Sequence, residues 1–311
     1  MEINVSVLSV EHDFLIQGAS YAGSPKSNTM MFITKKVGHL VDALENVDEC
    51  LVFLENGIEV SNALKEKHCF VFSDNPQLEY AKFATQFAEQ KMAKEAELGY
   101  ELTAGHYYVG KGCVIGKNAY IEPGVLIGHG VVIGDNAVIL AGAVIKNAVI
   151  GDNFLCNERA VVGSYGFTMA EDEAGNKFRI PSLGKVVIGN NVEIGAGCNV
   201  SVGSCGDTVI EDYVKIDTLV HISHEVFLHK NTLIAAGSVL GGFSEIQEKS
   251  FLGLNSTIKN RIKLGKSCII GMGANISSSV PDNCTVAVHV VQRKLYQSQI
   301  INPIYDKSGS D

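Results

Sequence analysis

An apolar residue, nearly always Ile, Val or Leu, returns at every sixth position through most of the chain. From Ile210 the beat runs Ile216, Ile222, Leu228, Ile234, Leu240, Ile246, Leu252, Ile258, Leu264, Ile270 and Ile276 without a slip. An earlier run passes through Val109, Ile115, Ile121, Ile127, Ile133, Ile139 and Ile145. A period of six fits neither the helical repeat nor simple strand alternation. It fits a solenoid in which each hexad is one short strand and one tight corner, with the beat residue pointing inward. Gly often follows the beat, as at Gly116, Gly128, Gly253 and Gly265, where a corner leaves little room for a Cβ. The pattern predicts a mainly β chain. Its principal domain is a left-handed parallel β-helix of hexapeptide repeats, an exception to the right-handed preference of parallel crossovers.

The beat is broken in three places. Ile145 to Ile150 is a step of five, a one-residue deletion. The beat is then lost between Val162 and Ile188, in GSYGFTMAEDEAGNKFRIPSLGK, and four extra residues lie between Val200 and Ile210, around GSCGD. Polar, Gly-bearing excursions from a solenoid are usually functional loops. Ahead of the solenoid, FLIQ at 14–17, MMFIT at 30–34, CLVFLE at 50–55 and CFVFS at 69–73 have strand character. KKVGHLVDALEN reads as a helix. A second helix opens at Asn75-Pro76, carries Tyr80, Phe83, Ala84 and Phe87 on one face, and ends at Gly99. The predicted organisation is a small α/β domain with a linker helix over 1–98, the β-helix over 99–281, and a tail with a short helix over 282–311.

Charge is uneven. The chain carries −9 overall, which argues against nucleic acid as a partner. Residues 1–105 hold sixteen acids and eight bases, whereas 251–311 hold seven bases and three acids. Lys259, Arg261, Arg293 and Lys294 belong to that basic end and are candidates to receive the phosphates of an acyl donor; the alternative is a solvated rim. No run of eighteen apolar residues is present, so no membrane span is expected, and the acidic start lacks a signal-peptide pattern. The eight Cys form no CxxC pair and read as small buried residues in a reducing, cytoplasmic compartment.

Three imidazoles cluster in HISHEVFLHK: His221, His224 and His229. His224 lies two positions past beat residue Ile222, so it points out of the coil and is a candidate base. Asp217 follows beat residue Ile216, one corner earlier, and is a candidate to orient that imidazole. In AAGSVLGG, Gly237, Gly241 and Gly242 are candidates for a close backbone approach to a thioester oxygen, or ordinary corner glycines. The H-x₄-H spacing of His224 and His229 resembles β-helical zinc carbonic anhydrases, with His221, His129 or His106 as a third ligand from across a subunit interface; a non-catalytic scaffold is the remaining class.

The stretch from GSYGFTMAEDEAGNKFRIPSLGKVVIGNNVEIGAGC through GDTVIEDYVKIDTLVHISHEVFLHKNTLIAAGSVLGG resembles UDP-3-O-acylglucosamine N-acyltransferase, and NTMMFITKK and NPQLEYAKFATQF echo that family's first domain more weakly. The resemblance implies a trimeric β-helix enzyme with an N-terminal nucleotide-recognition domain, His224 as general base and Asp217 as its partner. Phe32 matches the first residue of the family's Phe-x-x-Asn-x-x-Tyr uracil motif, but Lys35 and Gly38 stand in the other two places. A second family His falls on Arg261, and the helical extension that contacts acyl carrier protein is mostly absent. The resulting expectation is an N-acyltransferase with acyl-CoA, less favourably acyl carrier protein, as co-substrate. Its acceptor would be a nucleotide-linked amino sugar, with a dTDP-4-amino-6-deoxy sugar first and the lipid A pathway enzyme as the alternative. Phe32, Lys35, Tyr165, Phe167 and His221 would hold the acceptor. No metal and no permanently bound cofactor are expected, and a homotrimer is.

Overall fold

The computed structural model describes residues 2–8 and 11–287. The hexads form a left-handed parallel β-helix of triangular section. Three parallel sheets make its faces. Face I runs from Tyr108–Gly110 to Asn275–Ile276, face II from Val114–Ile115 to Lys263–Leu264, and face III from Tyr120–Ile121 to Thr285–Val286. The last strand lies beyond the 281 boundary read from the sequence, because Thr285 and Val286 still pair with Ile269 and Ile270. Ile127 pairs with Ile145, and Leu240 with Ile258, eighteen residues on, so three hexads make one coil. Beat residues stack down the interior: Ile127, Ile145, Ile222, Leu240, Ile234, Leu252 and Ile270 are fully buried. Each such side chain contributes about 1.5–3 kcal/mol. Among the described residues no helix is long and apolar enough to cross a membrane.

The amino-terminal domain is built on a four-stranded parallel sheet, Gly18–Ala19, Thr29–Ile33, Leu51–Glu55 and Cys69–Ser73. Helix α1 spans Asn62–Lys67 and helix α2 Pro76–Leu98. The Asn75 side chain caps α2 by accepting from the Leu78 N–H, and Gly99 ends it at φ 64°. KKVGHLVDALEN is 3₁₀ rather than α-helical and is kinked at Val37. Tyr80, Phe83, Ala84 and Phe87 bury the face of α2 that meets the sheet. Their cluster also contains Ala170, Ile180 and Cys205, which come from the two solenoid insertions. Asn75 Nδ2 donates to the Glu171 carbonyl (2.7 Å), Gln77 Nε2 to the Met169 carbonyl (3.2 Å), and Lys26 pairs with Asp207 at 2.9 Å. The domain is therefore docked on the insertions of its own chain. All eight Cys are free, and burial pushes the Cys156 and Cys205 thiols up to about 12.

Candidate active site

Every break in the hexad beat falls on one edge of the prism. The five-residue step, the long insertion and the short insertion all connect face I to face II, in three successive coils. His224 occupies the same edge in the next coil, two residues past Ile222. The repeat thus carries His224 to the spot where the insertions and the docked domain converge. The long insertion is a β-hairpin, Met169–Glu171 with Lys177–Arg179, that leans on α2.

The imidazole is held from four sides. His224 Nδ1 meets Glu225 Oε2 at 2.5 Å, and the Glu225 side chain is 5% exposed. The other oxygen, Oε1, accepts the backbone N–H of Cys205 (2.8 Å) and of Gly206 (3.2 Å), both in the short insertion. A carboxylate on Nδ1 selects the tautomer with its proton there, which leaves Nε2 as a base. Nε2 lies 3.4 Å from Thr168 Oγ1, a weak contact that an incoming group displaces easily. Ser204 Oγ donates to that same Thr168 oxygen at 2.7 Å. Phe243 sets its ring edge-on to the imidazole, centroids 5.6 Å apart. Above and below, only glycine fits. A Cβ on Gly242 would stand 2.4 Å from His224 Cε1, and one on Gly166 2.9 Å from His224 Cβ. The close approach foreseen for Gly242 is thus to the imidazole.

Beside this imidazole lies a cleft of ≈ 730 Å³ between the solenoid edge and the amino-terminal domain. Thr168, Ser204, Phe243 and Arg261 line it from the solenoid, and Tyr21, Phe32, Lys35 and Lys36 from the domain. His224 stands behind Thr168 and Phe243. Tyr21 packs on Phe243 at 5.3 Å, and the Arg261 guanidinium lies 4.3 Å from the Phe243 centroid.

Several sequence-derived candidates fall elsewhere. Asp217 is at the edge joining face III to face I, where its carboxylate accepts from the Thr218 N–H (2.7 Å) and the Ala236 N–H (3.2 Å); it does not orient His224, and Glu225 does. Gly237 is on that same distant edge, in a left-handed corner at φ +72°. Gly241 follows face I beside Gly242, backed by the Asn260 backbone. Tyr165 and Phe167 are 61% and 76% exposed and line the cleft nowhere; Arg179 stacks on Phe167 instead, and Thr168 takes the place assigned to them. His221 faces outward on face I beside Asn199 Nδ2 (3.2 Å), with burial and then His224 lowering its pKa below 6.5. Lys259 is exposed two residues before Arg261, outside the cleft lining. Arg293 and Lys294, with the predicted tail helix, lie outside the described residues.

His229 is at the edge between faces II and III, one corner from His224, and is engaged by Glu211 (3.4 Å) and Glu245 (2.9 Å). Among the described residues no three His, Cys, Asp or Glu side chains are grouped to hold a metal ion.

Residues 112–147 match the bacterial transferase hexapeptide (six repeats) family, and 246–278 the hexapeptide repeat of succinyl-transferase. The chain is 43% identical over 102 residues to UDP-3-O-acylglucosamine N-acyltransferase 2 of Legionella pneumophila, covering 33% of this chain and 29% of the relative. It is 33% identical over 154 residues to UDP-3-O-acylglucosamine N-acyltransferase of Shewanella denitrificans, covering 49% of this chain and 45% of that one. It thus spans less than half the length of these curated relatives. Among solved structures, UDP-N-acetylglucosamine acyltransferase from Campylobacter jejuni superposes with a TM-score of 0.51 at 25% identity, over 58% of this chain and 69% of that one. LpxA from Acinetobacter baumannii gives 0.53 at 22%, over 61% and 72%, and shows the fold alone. By its repeats, its relatives and its architecture, the chain is a left-handed β-helix protein with hexapeptide repeats similar to those of bacterial transferases, and it is similar over part of its length to UDP-3-O-acylglucosamine N-acyltransferases.

Proposed function

We propose that this chain is an N-acyltransferase that moves an acyl group from a thioester to the amino group of a nucleotide-linked amino sugar. The observation that carries the reading is the His224–Glu225 dyad, which turns Nε2, touched by Thr168 alone among the described residues, toward a two-domain cleft. The amine nitrogen attacks the thioester carbonyl while His224 Nε2 takes its proton. Glu225 stabilises the imidazolium that forms. The tetrahedral oxyanion collapses, the C–S bond breaks, and the thiolate takes a proton from the imidazolium. Such a base contributes roughly 10²–10⁴-fold. The Gly242 N–H, which has no acceptor among the described residues, is the oxyanion donor we assign.

The acceptor we propose is a UDP-linked acylated glucosamine, the compound in the relatives' names. The dTDP-sugar expectation rested on Lys35 and Gly38 and finds no counterpart among those relatives. Phe32 and Lys35 share the cleft with the solenoid residues, which supports the amino-terminal domain as the holder of the nucleotide. The donor we propose is a coenzyme A thioester at the basic last coils, and the assembly a homotrimer. Thiol release from acyl-CoA, with UDP- and dTDP-linked amino sugars as acceptors, tests the reading. Turnover with the UDP sugar that vanishes in His224→Ala is expected. Turnover with the dTDP sugar alone would reverse the choice of nucleotide, and activity retained in His224→Ala would remove the base.

A further inference from the structure

We propose that the cleft contains a diphosphate site, closed from the solenoid side by Arg261 against Lys35 and Lys36 of the amino-terminal domain. The proposal rests on the nucleotide-sugar reading and gives its pocket an anionic subsite shared by two domains. Three cations line this cleft, and Glu55 is the one carboxylate that does so. Glu55 is already engaged, accepting the Lys35 backbone N–H at 2.8 Å with the Lys35 ammonium at 3.6 Å. Among the described residues neither Arg261 nor Lys36 has a carboxylate partner. The surplus is positive although the chain as a whole carries −9. Gathered cations without counter-charge repel one another, and an anion between them relieves that repulsion.

The setting of Arg261 points the same way. Its guanidinium is laid on the Phe243 ring at 4.3 Å, which fixes the plane of the donor fork while leaving its N–H edge available. A planar fork matches two phosphate oxygens at once. Its backbone is left-handed, φ 61°, a conformation that other corners of the prism give to Asn231 and Asn255 and also to Arg159 and Lys249. Asparagine takes that conformation with less steric penalty than arginine. Tyr21 and Phe32 add aromatic surface for a base in the same cleft. The arrangement puts Arg261 on the acceptor side, not with the donor phosphates.

Calorimetric titration of the full chain with UDP and with uridine tests the assignment. Arg261→Asn keeps a residue suited to the corner, so folding is preserved, and Arg261→Lys restores the charge without the fork. UDP affinity is expected to fall on the order of tenfold or more in Arg261→Asn, with uridine affinity unchanged and part of the loss recovered in Arg261→Lys. The acyl-CoA KM should stay constant. Equal weakening of UDP and uridine, or no change in either, overturns the proposal. So does a raised acyl-CoA KM at unchanged UDP affinity, which would return Arg261 to the donor. A wild-type chain that binds neither UDP nor uridine overturns the nucleotide reading itself.

Discussion

Two edges of the same prism follow the same repeat and do different work. At the edge between faces II and III the corner N–H groups are capped by side chains of the next coil: Lys117 N–H by Asp135, Asp135 N–H by Asp152, Asp152 N–H by Asn190, and Asn190 N–H by Asp212. The left-handed corner residues there include Asn118, Asn136 and Asn153, which bond to one another in a ladder. These caps tie successive coils together along that edge. At the edge between faces I and II one such cap is present in the first coils, Lys111 N–H to His129 Nδ1 (2.9 Å), and no asparagine ladder continues it among the described residues. The left-handed corners there are Gly112, Gly130, Asn147 and Gly163 in the early coils and Glu225, Phe243 and Arg261 in the later ones, the last three being residue types that strain such a backbone. The Gly242 N–H is left open. The repeat supplies a rigid frame on all edges, and the proposed base stands on the one edge where the insertions interrupt it.

The sharpest way to break this comparison is to remove one imidazole from each edge. His224→Ala should lower kcat about 10²–10⁴-fold with little change in KM, while His229→Ala, one corner away, should stay within a few-fold. Equal losses in steady-state assays would void the contrast. Gly242→Ala comes next. Its methyl would meet the imidazole at 2.4 Å, so the ring must move, and displacements of that size cost up to about 10² in rate. Unchanged kcat would mean that the ring position does not matter.

Glu225→Gln keeps the shape of the orienting group and removes its charge. It should lower kcat at least about tenfold, whereas Asp217→Asn at the other edge should leave kcat within about twofold. The reverse order would restore Asp217 as the partner. On the structural edge, Asn136→Ala should cost about 1 kcal/mol in denaturant melts and leave kcat alone, because alanine tolerates the φ of 59° less well. The smallest effect concerns His221. Burial lowers its folded pKa below 6.5, so the unfolded chain takes up its proton first as pH falls. Its contribution to stability is present above pH 6.5 and is lost between there and its lower folded pKa. His221→Gln should flatten the melting temperature in that window, and an identical pH dependence in wild type and variant would contradict the assignment.

The solenoid was legible because its signal is local and repeated: each Ile, Val or Leu of the beat reports the same inward position. The three breaks were legible for the same reason. That they share one edge is also present in the sequence, since counting hexads in threes assigns Ile145, Val162, Val200 and Ile222 to one face. The same count separates Asp217 from His224, which a linear spacing of seven residues hides. Glu225 was not legible. An acidic neighbour in sequence normally points away from its predecessor, and only the left-handed turn at φ 51° brings its carboxylate to Nδ1. The cleft depended on how the amino-terminal domain docks. Contacts such as Asn75 with Glu171 and Tyr80 with Cys205 link residues far apart in the chain, and no local pattern encodes them.

That docking has a consequence in time. The first hundred residues leave the ribosome well before Ala170, Ile180 and Cys205, yet those three are part of the same buried cluster as Tyr80 and Phe83. The amino-terminal sheet and α2 therefore emerge with an apolar surface that their own sequence does not cover. It stays open until the growing solenoid has been wound past its two insertions. The later segment completes the earlier one, and the cleft between them comes into existence only at that moment of synthesis.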